Sequence, residues 1–168
     1  MSELIVVGVD GSAEAAAALE FAVTKAARRG ARVRVVSVSQ MHEYWAAWSG
    51  RARRGVPPPA VDFESEALEV ARDAVEALTA DHPELADQVE MEIFGVVGHP
   101  ATELIAQSRE ADVLVVGHRG RGAIATTFLG SVGLSCVQHA YCPVIIVRPG
   151  QVAEQAPATS GAGAVPAE

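Results

Sequence analysis

Residues 113–131 read VLVVGHRGRGAIATTFLGS, in which an apolar run typical of a buried strand passes directly into a glycine-rich stretch. Gly117, Gly120 and Gly130 have the spacing G-x2-G-x9-G, and Ser131 follows the last of them. Glycines directly after a strand leave backbone N–H groups uncovered by side chains, and such groups bind phosphate. The stretch predicts an anion site at the end of a strand; a plain turn is the alternative.

The charge distribution favours the anion site. The chain has a formal net charge of −8, yet no Asp or Glu occurs between Asp112 and Glu154. Arg119 and Arg121 both lie inside the glycine-rich stretch. An acid-free, glycine-rich stretch that contains two arginines suits a phosphate group, so we expect a nucleotide to bind here. Arginines in loops are often simply solvated, which is the alternative for this pair.

Strand and helix signals alternate along the chain. Apolar runs predict five strands, at residues 4–9, 33–38, 89–97, 112–117 and 143–148. Helical spacing and capping residues predict helices from Ser12 to Gly30, over 62–80 with Asp62 or Ser65 as its cap, from Pro100 through Ile105, and over about 130–139. Strands linked by helices indicate an α/β, Rossmann-like domain: a doubly wound, parallel five-stranded sheet of order 3-2-1-4-5 with helices on both faces. Ligands of such sheets bind where the strand order reverses, here between the first and fourth strands.

Length and composition restrict the class of protein. A chain of 168 residues with 49% apolar content is expected to form one domain, over residues 1–149. Residues 150–168 are rich in Ala, Pro and Gly and are predicted to be a disordered tail. We see no secretory signal and no run near the roughly 18 apolar residues of a membrane helix. Two cysteines and an acidic balance favour reduced thiols in a cytoplasmic protein that binds neither membranes nor nucleic acid.

Four segments together resemble the universal stress protein family. They are VVGVDGS at 6–12, GHPATELI at 98–105, the glycine motif at 117–131 and CPVIIVRP at 142–149. The resemblance covers about residues 1–149, and the complete G-x2-G-x9-G-[ST] motif is typical of the ATP-binding branch. It implies an adenine-nucleotide-binding regulatory protein of the stress response, with ATP, and with Mg²⁺ or Mn²⁺ where a divalent ion accompanies the nucleotide.

The resemblance also implies the residues of the site. Asp10 would lie against the nucleoside, Val38 would hold the adenine through its backbone, and the 117–123 loop would surround the ribose and phosphates. The implied nucleotide-binding residues are Gly8, Val9, Asp10, Val38, Val116, Gly117, His118, Arg119, Gly120, Arg121, Gly122, Ala123, Gly130, Ser131 and Val132. A metal role is open only for Asp10, through a divalent ion held by the nucleotide, and no catalytic residue is identified.

Physical reasons accompany these roles. Glycine at 117 and 120 would allow close backbone approach and a positive φ, so Gly117→Val is expected to fill the space of the ligand and abolish binding without unfolding the protein. Ser131 would cap a helix and present N–H groups to a terminal phosphate. Asp10 would accept hydrogen bonds from ribose or hold the divalent ion, although it could merely cap the first helix. The His118 side chain is expected to face solvent.

Other functions fit the sequence less well. Gly120, Gly122 and Ala125 match a loose dinucleotide fingerprint, but this follows the fourth strand and no acidic residue comes about 20 positions later. Neither a P-loop motif nor a G-x-S-x-G nucleophile motif is present. Three readings stay open: a nucleotide-binding regulator, a dimeric interaction protein with an empty site, and a slow ATPase. AMP, ADP or a cyclic nucleotide is also open as the ligand, as are the client protein and the role of the 39–60 loop with Trp45 and Trp48.

The fifth strand predicts a homodimer. Residues 143–148 read PVIIVR, an apolar strand that the proposed order places at a sheet edge. An uncovered apolar edge pairs readily with another strand, and the same strand of a second copy would cover both edges about a two-fold axis. The family resemblance implies the same pairing. A covering role for the tail is the alternative, which its Ala/Pro/Gly content makes unfavourable.

Overall fold

A computed structural model of the chain describes residues 2–41, 61–120 and 129–150. Its centre is a five-stranded parallel sheet with the order β3-β2-β1-β4-β5. The strands are β1 (Leu4–Val9), β2 (Arg32–Ser39), β3 (Met91–Val97), β4 (Val113–Gly117) and β5 (Val144–Val147). The predicted fold class and strand order are confirmed.

Helices connect the strands. They are α1 (Ala13–Arg29), α2 (Phe63–Asp81), α3 (Pro83–Ala86), α4 (Pro100–Gln107) and α5 (Ser131–His139). The sequence predicts the four longer helices to within a few residues. The single turn α3 escapes prediction because four residues are too few to show a helical period.

Predicted capping residues define both ends of α1 and the start of α2. The Ser12 hydroxyl accepts a hydrogen bond from the Ala15 N–H at 3.2 Å, and α1 ends at Gly30, whose φ of 63° is left-handed. Asp62 accepts from the Ser65 N–H at 3.2 Å, and this bond lowers the pKa of the Asp62 carboxyl. Local chemistry therefore decides where both long helices begin.

The central strand β1 buries both of its faces because helices cover the sheet on each side. Ile5, Val7 and Val9 point toward α1 and α2, whereas Leu4 and Val6 point toward α4 and α5. All five of these β1 side chains are no more than 5% exposed. Burying one such side chain contributes about 1.5–3 kcal/mol. Helices on both sides of the sheet thus explain why apolar residues follow one another in β1 without alternating with polar ones.

One glycine outside the proposed site allows a close helix-strand contact. A Cβ at Gly95 of β3 would lie 2.4 Å from the Leu68 amide nitrogen and 2.6 Å from the Glu64 carbonyl oxygen, both in α2. Such distances are far below any van der Waals contact, so only glycine permits α2 to lie this close to β3.

Some predictions fall on parts of the chain that are not described. Residues 151–168, most of the predicted tail, lie outside the described residues, as do Trp45 and Trp48 of the 39–60 loop. Met41 of the same loop is 49% exposed. Within the described ranges, none of the helices is both long and apolar enough to cross a membrane.

Candidate functional site

The ends of β1 and β4 meet where the strand order reverses. These two strands pair in parallel, with Val7 beside Val115, so Asp10 and Gly117 emerge at the same edge of the sheet. A cleft of about 460 Å³ opens at this edge. The volume is typical of a site for a small molecule. The sequence predicted this meeting point from the strand order alone.

Most of the residues that the resemblance implied line this one cleft. They are Gly8, Val9, Asp10, Val38, Val116, Gly117, Arg119, Gly120, Gly130, Ser131 and Val132. His118 is not among the described lining residues. Arg121, Gly122 and Ala123 lie outside the described part of the chain. Segments more than 100 residues apart in the sequence thus line the same cleft.

Ser12 and Gly120 lie against different oxygens of the Asp10 carboxylate. Its Oδ1 accepts hydrogen bonds from the Ser12 N–H at 3.0 Å and from the Ser12 hydroxyl at 2.6 Å. A Cβ at Gly120 would lie 2.7 Å from its Oδ2. Oδ1 therefore fixes the turn into α1, while Oδ2 points toward the glycine-rich loop. The Asp10 side chain thus holds the turn and also lines the cleft.

The glycines of the motif are needed for close approach rather than for an unusual backbone. Gly117 and Gly120 do not have positive φ; among the described residues only Gly11, Gly30 and Gly150 do. A Cβ at Gly117 would lie 2.9 Å from the carbonyl carbon and oxygen of Glu14 in α1. The expectation of positive φ is therefore wrong. A Cβ at position 117 would press against α1, so Gly117→Val is expected to strain the fold as well, and its effect on nucleotide binding stays a prediction.

The beginning of α5 presents N–H groups without a side-chain cap. Gly130 is the N-cap residue, and no side-chain hydrogen bond caps the helix. Ser131 is the first helical residue, so the prediction that its hydroxyl caps α5 is wrong. The Gly130 N–H donates to the His118 carbonyl oxygen at 2.8 Å, which holds the helix start against the β4 loop. The first N–H groups of a helix attract anions, and here they open toward the cleft.

His118 differs from its predicted position. Its backbone N–H donates to the Val147 carbonyl oxygen at 2.8 Å, which joins the end of β4 to the end of β5. The Nδ1 atom of its ring is buried, and no hydrogen-bond partner for it occurs among the described residues. His118 is half-buried, so its ring is shielded from solvent at Nδ1, whereas a fully solvent-facing ring was expected.

The opposite end of the cleft is formed by residues that the sequence did not single out. Ser39 and Gln40 follow Val38 at the end of β2, and Glu66 faces them from the first turn of α2. The Ser39 hydroxyl donates to Glu66 Oε2 at 3.5 Å, the limit of a hydrogen bond. The strand-end rule could have indicated Ser39 and Gln40. Nothing in the sequence places Glu66 here, because that depends on how α2 packs.

The cleft is therefore polar at both ends and apolar between them. Its glycine-rich end carries Arg119 and the start of α5, and its other end carries Glu66. Apolar side chains form the intervening wall, namely Val36, Val38, Val70, Pro100, Leu104 and Val116. Within the described part of the chain, no three His, Cys, Asp or Glu residues form a group that could hold a metal ion.

A second, larger cavity of about 870 Å³ lies on the other side of Asp10, between α1 and α2. Four residues line both cavities, namely Val9, Asp10, Ala15 and Val70. The smaller cleft is the candidate nucleotide site despite its size, because Gly117, Gly120 and the start of α5 line it and do not line the larger one.

Comparison with known proteins identifies the family. The profile of the universal stress protein family matches residues 1–148. The chain belongs to the universal stress protein family. The universal stress protein Rv2005c of Mycobacterium tuberculosis is 32% identical over 154 residues, which cover 86% of this chain and 47% of that protein. The chain thus spans about half the length of the curated relatives it matches.

Solved structures agree with the family and the fold. The universal stress protein UspA of Lactobacillus plantarum has a TM-score of 0.60 at 23% identity, covering 87% of this chain and 97% of its own. A universal stress protein in complex with cAMP has a TM-score of 0.56 at 27% identity, covering 88% of this chain and 97% of its own.

Proposed function

We propose that this universal stress protein binds an adenine nucleotide, with ATP as the first candidate, and acts as a regulatory protein of the cytoplasmic stress response. The observation that carries the proposal is the convergence of the β1 turn, the β4 glycine loop and the uncapped start of α5 on one cleft. The similar protein solved with cAMP supports an adenine nucleotide as the ligand class.

The two ends of the cleft suit the two ends of a nucleotide. Phosphates would bind at Gly117, Gly120 and the N–H groups of α5, where Arg119 adds a positive charge. The base would lie against the apolar wall near Val38, about two strand spacings away, which is roughly 10 Å. This arrangement keeps the phosphates away from Glu66, whose carboxylate would repel them.

A divalent ion fits this arrangement only together with the nucleotide. Asp10 offers one carboxylate at the cleft, and Mg²⁺ in nucleotide sites commonly takes one or two carboxylates plus phosphate oxygens. When bound, the ion would offset the negative charge of the phosphates. Asp10 would hold the ion through Oδ2, the oxygen that faces the glycine-rich loop.

Regulation is a better proposal than catalysis. Among the described lining residues, the carboxylates are those of Asp10 and Glu66, and no histidine lines the cleft. Asp10 is held by Ser12, and Glu66 lies at the end proposed for the base. A general base beside the terminal phosphate is therefore not identified in the described part of the chain, and slow hydrolysis of ATP is the subordinate alternative.

The experiment is direct identification of the ligand. Full-length protein purified without added nucleotide is denatured, and the released small molecules are analysed by mass spectrometry. Calorimetry then compares ATP, ADP, AMP and cAMP, with GTP as the control for base recognition. We expect an adenine nucleotide to be released or to bind preferentially. No binding of any of the four adenine nucleotides would contradict the proposal and favour the empty-site alternative.

We further propose that two copies pair through β5. Pairing in the sheet places β5 at an edge, beside β4. Next to it, α5 and the following turn expose Leu134, Val137 and Tyr141 by 47%, 54% and 59%. An open strand edge beside exposed apolar side chains is a favourable surface for a second copy.

A further inference from the structure

The larger cavity is a groove with a floor of very small side chains. It runs between α1 and α2, and six alanines contribute to it, namely Ala13, Ala15, Ala16, Ala17, Ala74 and Ala77. Short side chains let the backbone of a docked segment approach closely, as ridges of one helix fit grooves of others. From Val70 to Asp81 the wall formed by α2 extends about 17 Å, since a helix rises about 1.5 Å per residue. This length corresponds to about three turns of a docked helix.

The rim of the groove is acidic. Asp10, Glu20, Asp73 and Asp81 line it, and no Lys or Arg is among its described lining residues. His82 is its one basic residue in the described part, and its Nε2 lies 3.7 Å from Glu20 Oε1. The groove therefore presents negative charge around an apolar floor, a combination that neither a nucleotide nor an acidic peptide fits.

We propose that this groove docks a cationic segment of a partner protein, a short amphipathic helix with small apolar residues on one face and Lys or Arg beside them. The apolar face would lie on the alanine floor, and the cations would pair with Asp73 and Asp81 on one wall and Glu20 on the other. Helices commonly bind grooves in this way, with anchors one turn apart. Charge complementarity would direct the encounter and select the partner.

The chain's own tail is a poorer occupant on charge. Pro149 and Gly150 line the groove, so residues 151–168 start beside it. That segment contains Glu154 and Glu168 and has neither Lys nor Arg. Like charges would oppose its entry past the acidic rim, whereas a cationic partner gains from the same rim.

A defined peptide tests the proposal on the full-length chain. The probe is a fluorescein-labelled 18-residue helix of Ala, Leu and Lys, with a counterpart in which Glu replaces every Lys. Fluorescence anisotropy at low salt is expected to show binding of the Lys peptide and none of the Glu peptide. Asp73→Lys with Asp81→Lys is expected to weaken binding at least tenfold. The control, Glu69→Lys with Glu76→Lys, makes the same change of net charge on α2 outside the groove lining and is expected to change affinity less than threefold.

A second pair of variants tests the groove by shape instead of charge. Ala77→Trp would fill the groove from its exposed wall and is expected to weaken the Lys peptide at least tenfold, whereas Ala80→Trp, exposed on α2 outside the lining, is not. If the groove variants weaken binding of the Lys peptide no more than their controls do, the attraction is non-specific and the proposal is overturned. A spin label at Ala164→Cys that broadens the amide signals of Ala74 and Ala77 would assign the groove to the tail and also overturn it. Affinity that falls as protein concentration rises would assign it to a second copy, with the same consequence.

Discussion

Gly120 lies so close to Asp10 that a Cβ at position 120 would come within 2.7 Å of the Asp10 Oδ2 atom. The contact joins the loop after β4 to the turn after β1, two segments about 110 residues apart in the sequence. Asp10 has little freedom to withdraw, because its Oδ1 is held by the Ser12 N–H and hydroxyl. Close contact with Asp10 thus requires glycine at position 120 of the motif even without a bound ligand.

Gly120→Ala tests this contact. The added methyl group would displace either the Asp10 carboxylate or the loop, so we expect ATP affinity in calorimetry to fall at least tenfold, about 1.4 kcal/mol. Gly98→Ala is the control, since Gly98 does not line the cleft and a Cβ there meets only the movable end of the Glu103 side chain. Circular dichroism should be unchanged for both variants. Undiminished binding by Gly120→Ala would remove the loop from the proposed site.

Asp10→Asn tests the proposed divalent ion. The amide oxygen can still accept from Ser12, so the fold is expected to be retained while the charge is lost. For the wild type we expect ATP affinity to fall at least tenfold when Mg²⁺ is removed, and for Asp10→Asn we expect little dependence on Mg²⁺.

Turnover of ATP should stay far below the typical enzyme rate of about 10 per second. Turnover near that rate that disappears in Asp10→Asn would instead make this aspartate catalytic.

Gly95→Ala tests the packing of α2 on β3. The methyl group would meet the backbone of Leu68 at 2.4 Å, which can be relieved only by moving the helix, so we expect a loss of about 1–3 kcal/mol or more. Gly98→Ala is the matched control, because a Cβ there meets the flexible end of Glu103 at 2.5 Å, and that side chain can rotate away. Urea unfolding measures both free energies. Similar losses in the two variants would contradict the packing argument.

The β5 dimer predicts a mass of about twice 17.5 kDa in light scattering. Ile146→Arg is expected to shift the mass toward the monomer, but Ile146 also packs against the cluster beneath α5 and its loss would destabilise the fold. Val137→Glu is the cleaner variant, since Val137 is 54% exposed. Val97→Glu, 38% exposed on the opposite sheet edge, should leave the dimer intact. A wild-type mass near the monomer value at micromolar concentration would refute the pairing.

Burial raises the pKa of the Cys136 thiol to about 11 and also raises that of Cys142. Because the thiolate is the reactive form, both cysteines should react slowly with a thiol reagent at pH 8 in the native protein and rapidly in urea. The unfolded thiol ionises near its ordinary pKa of 9.0, before the folded one does. The contribution of Cys136 to stability is therefore complete below about pH 9 and is lost as the pH rises toward 11. Cys136→Ala should unfold in urea with a weaker dependence on pH across this window.

Sequence patterns were most informative where the interactions are local. Ser12, Gly30 and Asp62 act through neighbours three or four residues away, so the ends of α1 and the start of α2 were predictable. The strand order followed from alternating elements and chirality. The close contact of Gly117 with α1 and the half-buried ring of His118 beside β5 were not predicted, because both depend on distant segments. The cap of α5 was misplaced by one residue, at Ser131 instead of Gly130.

The sequence by itself determined that this chain folds as a parallel α/β sheet and that its polar turns lie after β1 and β4, since strand and turn preferences are written into short segments. Only the tertiary structure decided that Glu66 faces the cleft, that Gly120 meets Asp10, and that an acidic groove lies beyond Asp10. The physical reason is that these contacts depend on where helices pack against the sheet. That placement depends on the volumes of side chains brought together from distant parts of the chain.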